Sequence, residues 1–228
     1  LIDFNQFIFG TKSQTLDRLK PMLTNGKILP QISFTIEEWI SQKLFIVKKI
    51  QDHFRNSLLV VRSSSLMEDS LESSYAGHFT SKLNIAKDDN ESLIFAIEEV
   101  IQSYGKNPSI HNQILVQPQI QDVAFSGVMF TCDIRNGAPY YTINYSLSGD
   151  TDLITAGSKG KYNLNYIYRS ITNEIKDDKI KALITCAKEL ESLTGNKLLD
   201  IEFAFNNDGK LYIFQARPIT SSSIIKNF

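Results

Sequence analysis

Residues 198–219, LLDIEFAFNNDGKLYIFQARPI, carry the most demanding pattern in the chain. Two runs alternate apolar and polar residues on either side of Asn207-Asp208-Gly209, which predicts two antiparallel strands joined by a tight turn. Residues two apart on a strand share a face. Asp200 and Glu202 therefore point one way on the first run, and Gln215 and Arg217 do so on the second. Two carboxylates, a carboxamide oxygen and a guanidinium on one sheet face make a site for Mg2+ with phosphate: hard oxygens hold the metal and arginine neutralises phosphoryl oxygens. Alternation alone also fits a solvated outer face with a surface salt bridge, because one face of an antiparallel hairpin is commonly wet.

A second stretch, LLVVRSSSLMEDSLESSYAGHF at residues 58–79, raises the same choice. Leu58 to Val61 read as a fully buried strand. The segment behind it is dense in serine and carboxylates and too polar to pack, which places Arg62 where strand gives way to loop. Ligands of open α/β sheets bind at strand ends, yet Arg62 could equally pair with Glu68 or Asp69. Lys12 sits in a Gly-Thr-Lys loop before a helical pattern and could contact phosphate, or simply be solvated. Gln117 follows the apolar run ILV and precedes Pro118, a strand-to-connector position that could offer groups to a flat heterocycle. His53 and His111 read as surface residues, and His78 beside Gly77 is poor evidence of catalysis. Ser63 to Ser65 lack a Gly-x-Ser-x-Gly context.

The composition sets limits on class. The chain has 228 residues, 42% apolar and 21% charged, with 11 glycines and 6 prolines, an ordinary globular profile. Twenty-four basic residues against 25 acidic ones leave a net charge of −1, so no global field recruits nucleic acid or an anionic membrane. Cys132 and Cys186 lie far apart without metal-site spacing, which argues against a disulfide framework and a structural zinc. With no apolar run of about 20 residues and no signal-peptide pattern, the expected location is cytoplasmic. The first residue is not methionine, and the expectation is a piece of a longer chain.

Along the chain, FNQFIF at 4–9 reads as a strand or an extended lead-in, and GTKSQTLDRLKPML at 10–23 as a helix through Leu16, Leu19, Met22 and Leu23. Thr35 and Glu38 form a capping box that opens an amphipathic helix through Trp39 and Leu44. FTSKLNI at 79–85 predicts a strand, and DDNESLIFAIEEVIQSY at 88–104 a helix with an acidic first turn. From QILVQPQI at 113–120 the pattern turns strand-rich, through FSGVMFTCDI at 125–134 and APYYTINYSL at 138–147, with a turn at 137–139. A Gly- and Ser-bearing loop at 146–163 follows. The last helix, at 177–195, ends on Gly195. There is no internal repeat.

Taken together, VVRSSSLMEDSLESSYAGHF, ILVQPQI, SGVMFT and DIEFAFNNDGKLYIFQARPIT, in that order, resemble the nucleotide-binding domain of the phosphoenolpyruvate synthase and pyruvate phosphate dikinase family. GTKSQTLDRL is similar to that family's Gly-Gly-Lys opening. The resemblance spans residues 10–220 in short blocks, and the final block is the most specific. It implies an α+β ATP-grasp fold, with two lobes that each hold a mostly antiparallel sheet with flanking helices and with the nucleotide in the cleft between them. The lobes are expected at residues 1–115 and 116–228, together one domain of a longer chain. By this resemblance Lys12 and Arg62 contact phosphate, Gly77 and Ser81 belong to a phosphate-covering loop with serine in place of threonine, and Gln117 lies beside adenine. Glu202 and Gln215 are Mg2+ ligands supported by Asp200, and Arg217 faces the phosphates. Lys12, Arg62 and Arg217 would carry the catalysis, with ATP and Mg2+ as cofactors. Two positions depart from the family pattern: SLSGDTD stands where Gly-Leu-Gly-Glu is usual, and Phe9 precedes Gly10.

The family's activity is transfer of the β,γ-pyrophosphoryl group of ATP to a histidine on a separate swivelling domain, with release of AMP. No candidate for that domain stands in these 228 residues. KILPQISFTIEEW and INYSLSGDTD resemble the L-glutamine kinase branch, associated with phosphoramidate decoration of bacterial capsules, where phosphohistidine phosphorylates the glutamine amide nitrogen. Two alternatives stay open: a pyruvate-using dikinase or antibiotic phosphotransferase, and a non-catalytic nucleotide-binding module. Neither nucleic acid nor membrane is an expected partner.

Overall fold

In a computed structural model of the chain, the described residues are 7–55, 58–65, 81–147 and 163–219. Most elements follow the sequence periodicities. The elements run α1 (Lys12–Leu19), β1 (Ile32–Thr35), α2 (Ile36–His53), β2 (Leu58–Ser64), β3 (Ser81–Ala86), α3 (Asn90–Ser103), β4 (Gln113–Pro118), β5 (Val123–Phe130), β6 (Tyr140–Ser146), β7 (Asn163–Tyr168), a 3-10 segment (Arg169–Glu174), α4 (Asp178–Thr194), β8 (Leu199–Asn206) and β9 (Leu211–Pro218). Of these, β1, β7 and the 3-10 segment are not among the expectations. Residues 7–9 form an irregular lead-in rather than a strand.

The chain divides after Ile28 and after Ile120 into two compact units. In the unit Leu29–Ile120, an antiparallel sheet of order β1-β4-β2-β3 is covered by α2 and α3. Leu59 and Val61 of β2 and Ile114 and Val116 of β4 pack with Trp39, Ile46, Val47 and Ile50 of α2 and with Leu93, Ala96, Ile97 and Val100 of α3. The intervening residues Val60, Arg62, Leu115 and Gln117 therefore point to the other face. Thr35 caps α2 in the predicted box with Glu38. Leu44 is 80% exposed, contrary to expectation: five residues beyond Trp39, it falls off the buried stripe of Ile36, Trp39, Ile46 and Ile50. Lys43 holds the intervening stripe position, with its ammonium bonded to Glu98 of α3 and lying 5.4 Å from the Trp39 ring centroid.

The other unit pairs an antiparallel sheet of order β7-β6-β5-β8-β9 with α4. Phe125, Met129, Tyr141, Ile143, Leu199, Ile201, Phe203 and Ile213 are buried on one face, and Ile213 and Cys186 of α4 both lie against Gly26. Arg169 makes a bidentate pair with Glu191 of α4 (2.7 and 2.6 Å), donates to the Thr131 carbonyl and stacks on Tyr141. Burial, reinforced by the Glu191 charge, pushes the Tyr141 hydroxyl up to about 12. Gly195 ends α4 at φ +66°, as expected of a C-terminal glycine.

The expected boundary at 115/116 needs correction. Residues 7–28 pack with the second sheet rather than the first: α1 lies on β9, and Lys27 exchanges backbone hydrogen bonds with Leu211 and Ile213. Glu189 of α4 accepts from the amides and side chains of both Thr24 and Asn25 at 2.6–2.9 Å. No periodicity within residues 1–28 announces a strand that comes 180 residues later.

Two outcomes follow from these contacts. A Cβ on Gly127 would stand 2.3 Å from the Asn144 carbonyl oxygen, and backbone cannot step aside cheaply. Gly127→Ala should lower Tm by roughly 3–10 °C; an unchanged Tm by calorimetry would show that β5 and β6 separate freely. Burial raises the Glu189 carboxyl, but the Thr24 and Asn25 donors outweigh it and hold the group below its ordinary 4.5. Its folded value is depressed, so its contribution is complete above the unfolded value and is lost as pH falls through the folded one. The Tm difference between wild type and Glu189→Gln, followed from about pH 7 down to about pH 3, should shrink on acidification; a constant gap would exclude the carboxylate charge as its source.

Candidate functional site

The alternation in residues 198–219 becomes two cross-strand rungs. Asp200 of β8 stands opposite Arg217 of β9, and Glu202 stands opposite Gln215. The register shifts by one residue immediately after the Glu202 rung, so the bulge at Phe214 leaves both polar rungs on one face and returns Ile213 to the apolar face opposite Phe203. Arg217 donates from Nε to Asp200 Oδ2 at 2.9 Å, with Nη2 2.8 Å from the same oxygen. This is not a wet outer face: Asp200 is 8% exposed and Gln215 5%. A carboxylate so buried needs its guanidinium partner.

Glu202 and Gln215 put one carboxylate and one carboxamide oxygen side by side across the hairpin, a hard-oxygen set suited to Mg2+, which keeps most of its shell for water and phosphate. Among the described residues no three His, Cys, Asp or Glu side chains come together as a metal cluster. Lys12 is the first residue of α1, the helix that packs on β9. Its turn is built by Thr11 and Gln14, a capping box the sequence reading had not singled out. A Cβ on Gly10 would lie 2.4 Å from Gln14 Oε1, so a larger residue there would displace the capping side chain.

The second set lies in the other unit. Arg62 of β2 faces Ser81 of β3 and Leu115 of β4 across the ladders, and Gln117 faces Val60. Arg62, Ser81 and Gln117 thus share the face turned away from α2 and α3, with Arg62 8% and Gln117 0% exposed. Gln117 lies within β4 rather than beyond it; its amide nitrogen donates to Gln31, while Oε1 is buried without a hydrogen bond. The strand also continues past Arg62 through Ser64, and Ser63, Ser64 and Ser65 are buried. The expectation that the segment behind Arg62 is too polar to pack fails for Ser63 to Ser65 because backbone and side-chain partners exist: β4 pairs with Ser63 and Ser64, the Tyr104 hydroxyl accepts from the Ser64 amide, and Ser65 Oγ meets Asn112 Oδ1; the rest of the segment lies outside the described residues. Gly77, His78, Glu68, Asp69 and most of SLSGDTD lie outside the described residues. His53 and His111 are exposed, as expected.

Sequence reasoning missed Ser126, Thr142 and Asn144. Ser126 of β5 and Thr142 and Asn144 of β6 share a face with Asp200 and Glu202. Each has a buried side-chain oxygen with no hydrogen-bond partner. The period-two run of Thr142, Asn144 and Ser146 in TINYS carried the signal.

The chain matches the family model for the pyruvate phosphate dikinase AMP/ATP-binding domain over residues 13–162 and 150–227. Phosphoenolpyruvate synthase of Escherichia coli (strain K12) is 23% identical over 291 residues, which take in 96% of this chain and 36% of the synthase. The chain thus spans about a third of the length of that curated relative. Among solved structures, VanG D-Ala:D-Ser ligase from Enterococcus faecalis matches with a TM-score of 0.52 at 12% identity, covering 91% of this chain and 52% of the ligase. D-Alanine-D-alanine ligase from Helicobacter pylori gives 0.52 at 15% identity, covering 93% and 55%. These likenesses establish the fold as ATP-grasp, α+β with two antiparallel sheets. Among the described residues no helix is long and apolar enough to cross a membrane. With the family model matched over nearly its whole length, the chain belongs to the pyruvate phosphate dikinase AMP/ATP-binding domain family.

Proposed function

We propose that this chain binds Mg·ATP and donates its β,γ-pyrophosphoryl group to a histidine carried on a separate domain, releasing AMP, as the first half of a phosphorylation of the L-glutamine amide nitrogen. The observation that carries the ATP site is the pair of polar rungs on one sheet face, Asp200 with Arg217 and Glu202 with Gln215, in which Asp200 and Gln215 are buried. Glu202 and Gln215 would hold Mg2+, which neutralises phosphoryl oxygens when bound. Arg217, oriented by Asp200, would bring its positive charge to phosphate, and Lys12 would add a second cation from the start of α1. Arg62, opposite Ser81 across the ladder of β2 and β3, is assigned to phosphate by the family resemblance. The buried Gln117 Oε1, which lacks a donor, suits the exocyclic amine of adenine.

The chemistry asks for positioning and charge neutralisation rather than a nucleophile from this chain. The histidine nitrogen attacks the β-phosphorus, the bond from that phosphorus to the α,β-bridging oxygen breaks, and AMP leaves. Water then takes the terminal phosphoryl group as inorganic phosphate, and the remaining phosphohistidine is passed to the amide nitrogen. The glutamine acceptor rests on the likeness of residues 27–39 and 143–152 to that branch. A pyruvate acceptor is the second reading, favoured by the family model and by the likeness to phosphoenolpyruvate synthase.

Titration calorimetry with Mg·ATP should show magnesium-dependent binding that weakens by about tenfold or more in Arg62→Ala and in Glu202→Ala, with folding checked by Tm. A folded variant that binds like wild type would remove that residue from the site. In the presence of ATP and L-glutamine this chain alone should form no glutamine phosphate by phosphorus NMR; its appearance would overturn the assignment of the histidine to another domain.

A further inference from the structure

The sheet of the second unit carries an unexplained set of oxygens beside the hairpin. Ser126 Oγ, Thr142 Oγ1 and Asn144 Oδ1 are buried and have no hydrogen-bond partner among the described residues; Ser126 is 2% exposed and Thr142 7%. Buried polar atoms almost always have partners, and the exceptions call for a ligand, an ion or water. All three lie on the face that holds Asp200, Glu202, Gln215 and Arg217. The register fixes their places: Val128 of β5 stands between Asn144 and Glu202, and Phe130 between Thr142 and Asp200. The Asn144 and Glu202 backbones are thus two strand spacings apart, about 10 Å. The face has a charged part on β8 and β9 and an uncharged polar part on β6, and between them runs the β5 column of Ser126, Val128 and Phe130.

The uncharged part cannot neutralise phosphate. Its hydroxyls both donate and accept, its carboxamide oxygen accepts, and Val128 and Phe130 flank them with apolar surface. That chemistry fits a neutral polyol attached to an apolar ring. Thr142 and Asn144, two apart on one strand and about 7 Å apart along it, can converge on one pair of neighbouring hydroxyls. We infer that Thr142 and Asn144 hold the vicinal hydroxyls of the nucleotide's ribose and make this site selective for ribonucleotides over deoxyribonucleotides. Ser126 extends the strip along β5. The inference rests on the Mg·ATP reading and adds to it where the sugar lies and which residues read it.

The orphaned state of these atoms gives a test that separates binding from structure. A hydroxyl or amide that bonds to nothing in the free protein can be replaced by an apolar isostere without loss of stability. Thr142→Val and Asn144→Leu should keep or raise the Tm of the free protein. Calorimetry with Mg·ATP and with Mg·2′-deoxyATP should show wild type preferring ATP by about tenfold or more, the worth of one hydrogen bond in this setting. That preference should fall towards unity in Asn144→Leu or Thr142→Val. A wild type that binds ATP while both variants keep its preference would overturn this inference and leave the Mg·ATP reading standing. Equal wild-type affinity for the two nucleotides would overturn it as well. A wild type that binds neither nucleotide would overturn the Mg·ATP reading and this inference together. A variant that loses stability with its preference intact would mark the residue as structural and remove it from the sugar site.

Discussion

Each sheet has an apolar face against helices, and everything else depends on that asymmetry. In the first unit α2 and α3 cover the face of Leu59, Val61, Ile114 and Val116. In the second, α4 lies on the side of Ile213. Period-two alternation then turns every intervening residue to the other face without further instruction. Arg62, Ser81 and Gln117 arrive there in one sheet, and Asp200, Glu202, Gln215 and Arg217 in the other, as a by-product of packing the core. For these strand residues the ladder sets the spacing and the core sets the face.

Burial of that polar face has an electrostatic consequence. Asp200, 8% exposed, would be costly to ionise alone. The guanidinium of Arg217 across the rung resolves this. On the opposite side of the sheet, Arg169 performs a purely structural version of the same pairing with Glu191, tying α4 to the end of β5 and to Tyr141. Two arginine–carboxylate pairs in one unit thus have different consequences because they stand on different faces.

The irregular positions are as ordered as the ladders. A bulge at Phe214 keeps Gln215 and Arg217 in phase with Glu202 and Asp200 while Ile213 rejoins the core. In the other unit the ladder between β2 and β3 also slips, where Asn84 takes a left-handed φ of 58° and exchanges hydrogen bonds with Gln119. After that slip Arg62 falls opposite Ser81. Both bulges set the register of a residue of the candidate site, and both are invisible to alternation, which counts residues and not their pairing.

Much of this was legible in the residues themselves, because the deciding interactions are local. Thr35 with Glu38, Gly195 at the end of α4, the Asn207-Asp208-Gly209 turn and the alternation around it depend on neighbours within a few positions. What only the tertiary structure decided involves partners far apart in the chain. Residues 7–28 join the second sheet through β9 and Glu189, Ser63 to Ser65 become strand and core through β4, Asn112 and Tyr104, and Ser126, Thr142 and Asn144 line up with a hairpin some 60 residues away. The sequence alone determined which faces each element would present. Which faces meet depends on long-range register and on the cost of burying unpartnered polar groups, and these exist only once the sheets are assembled.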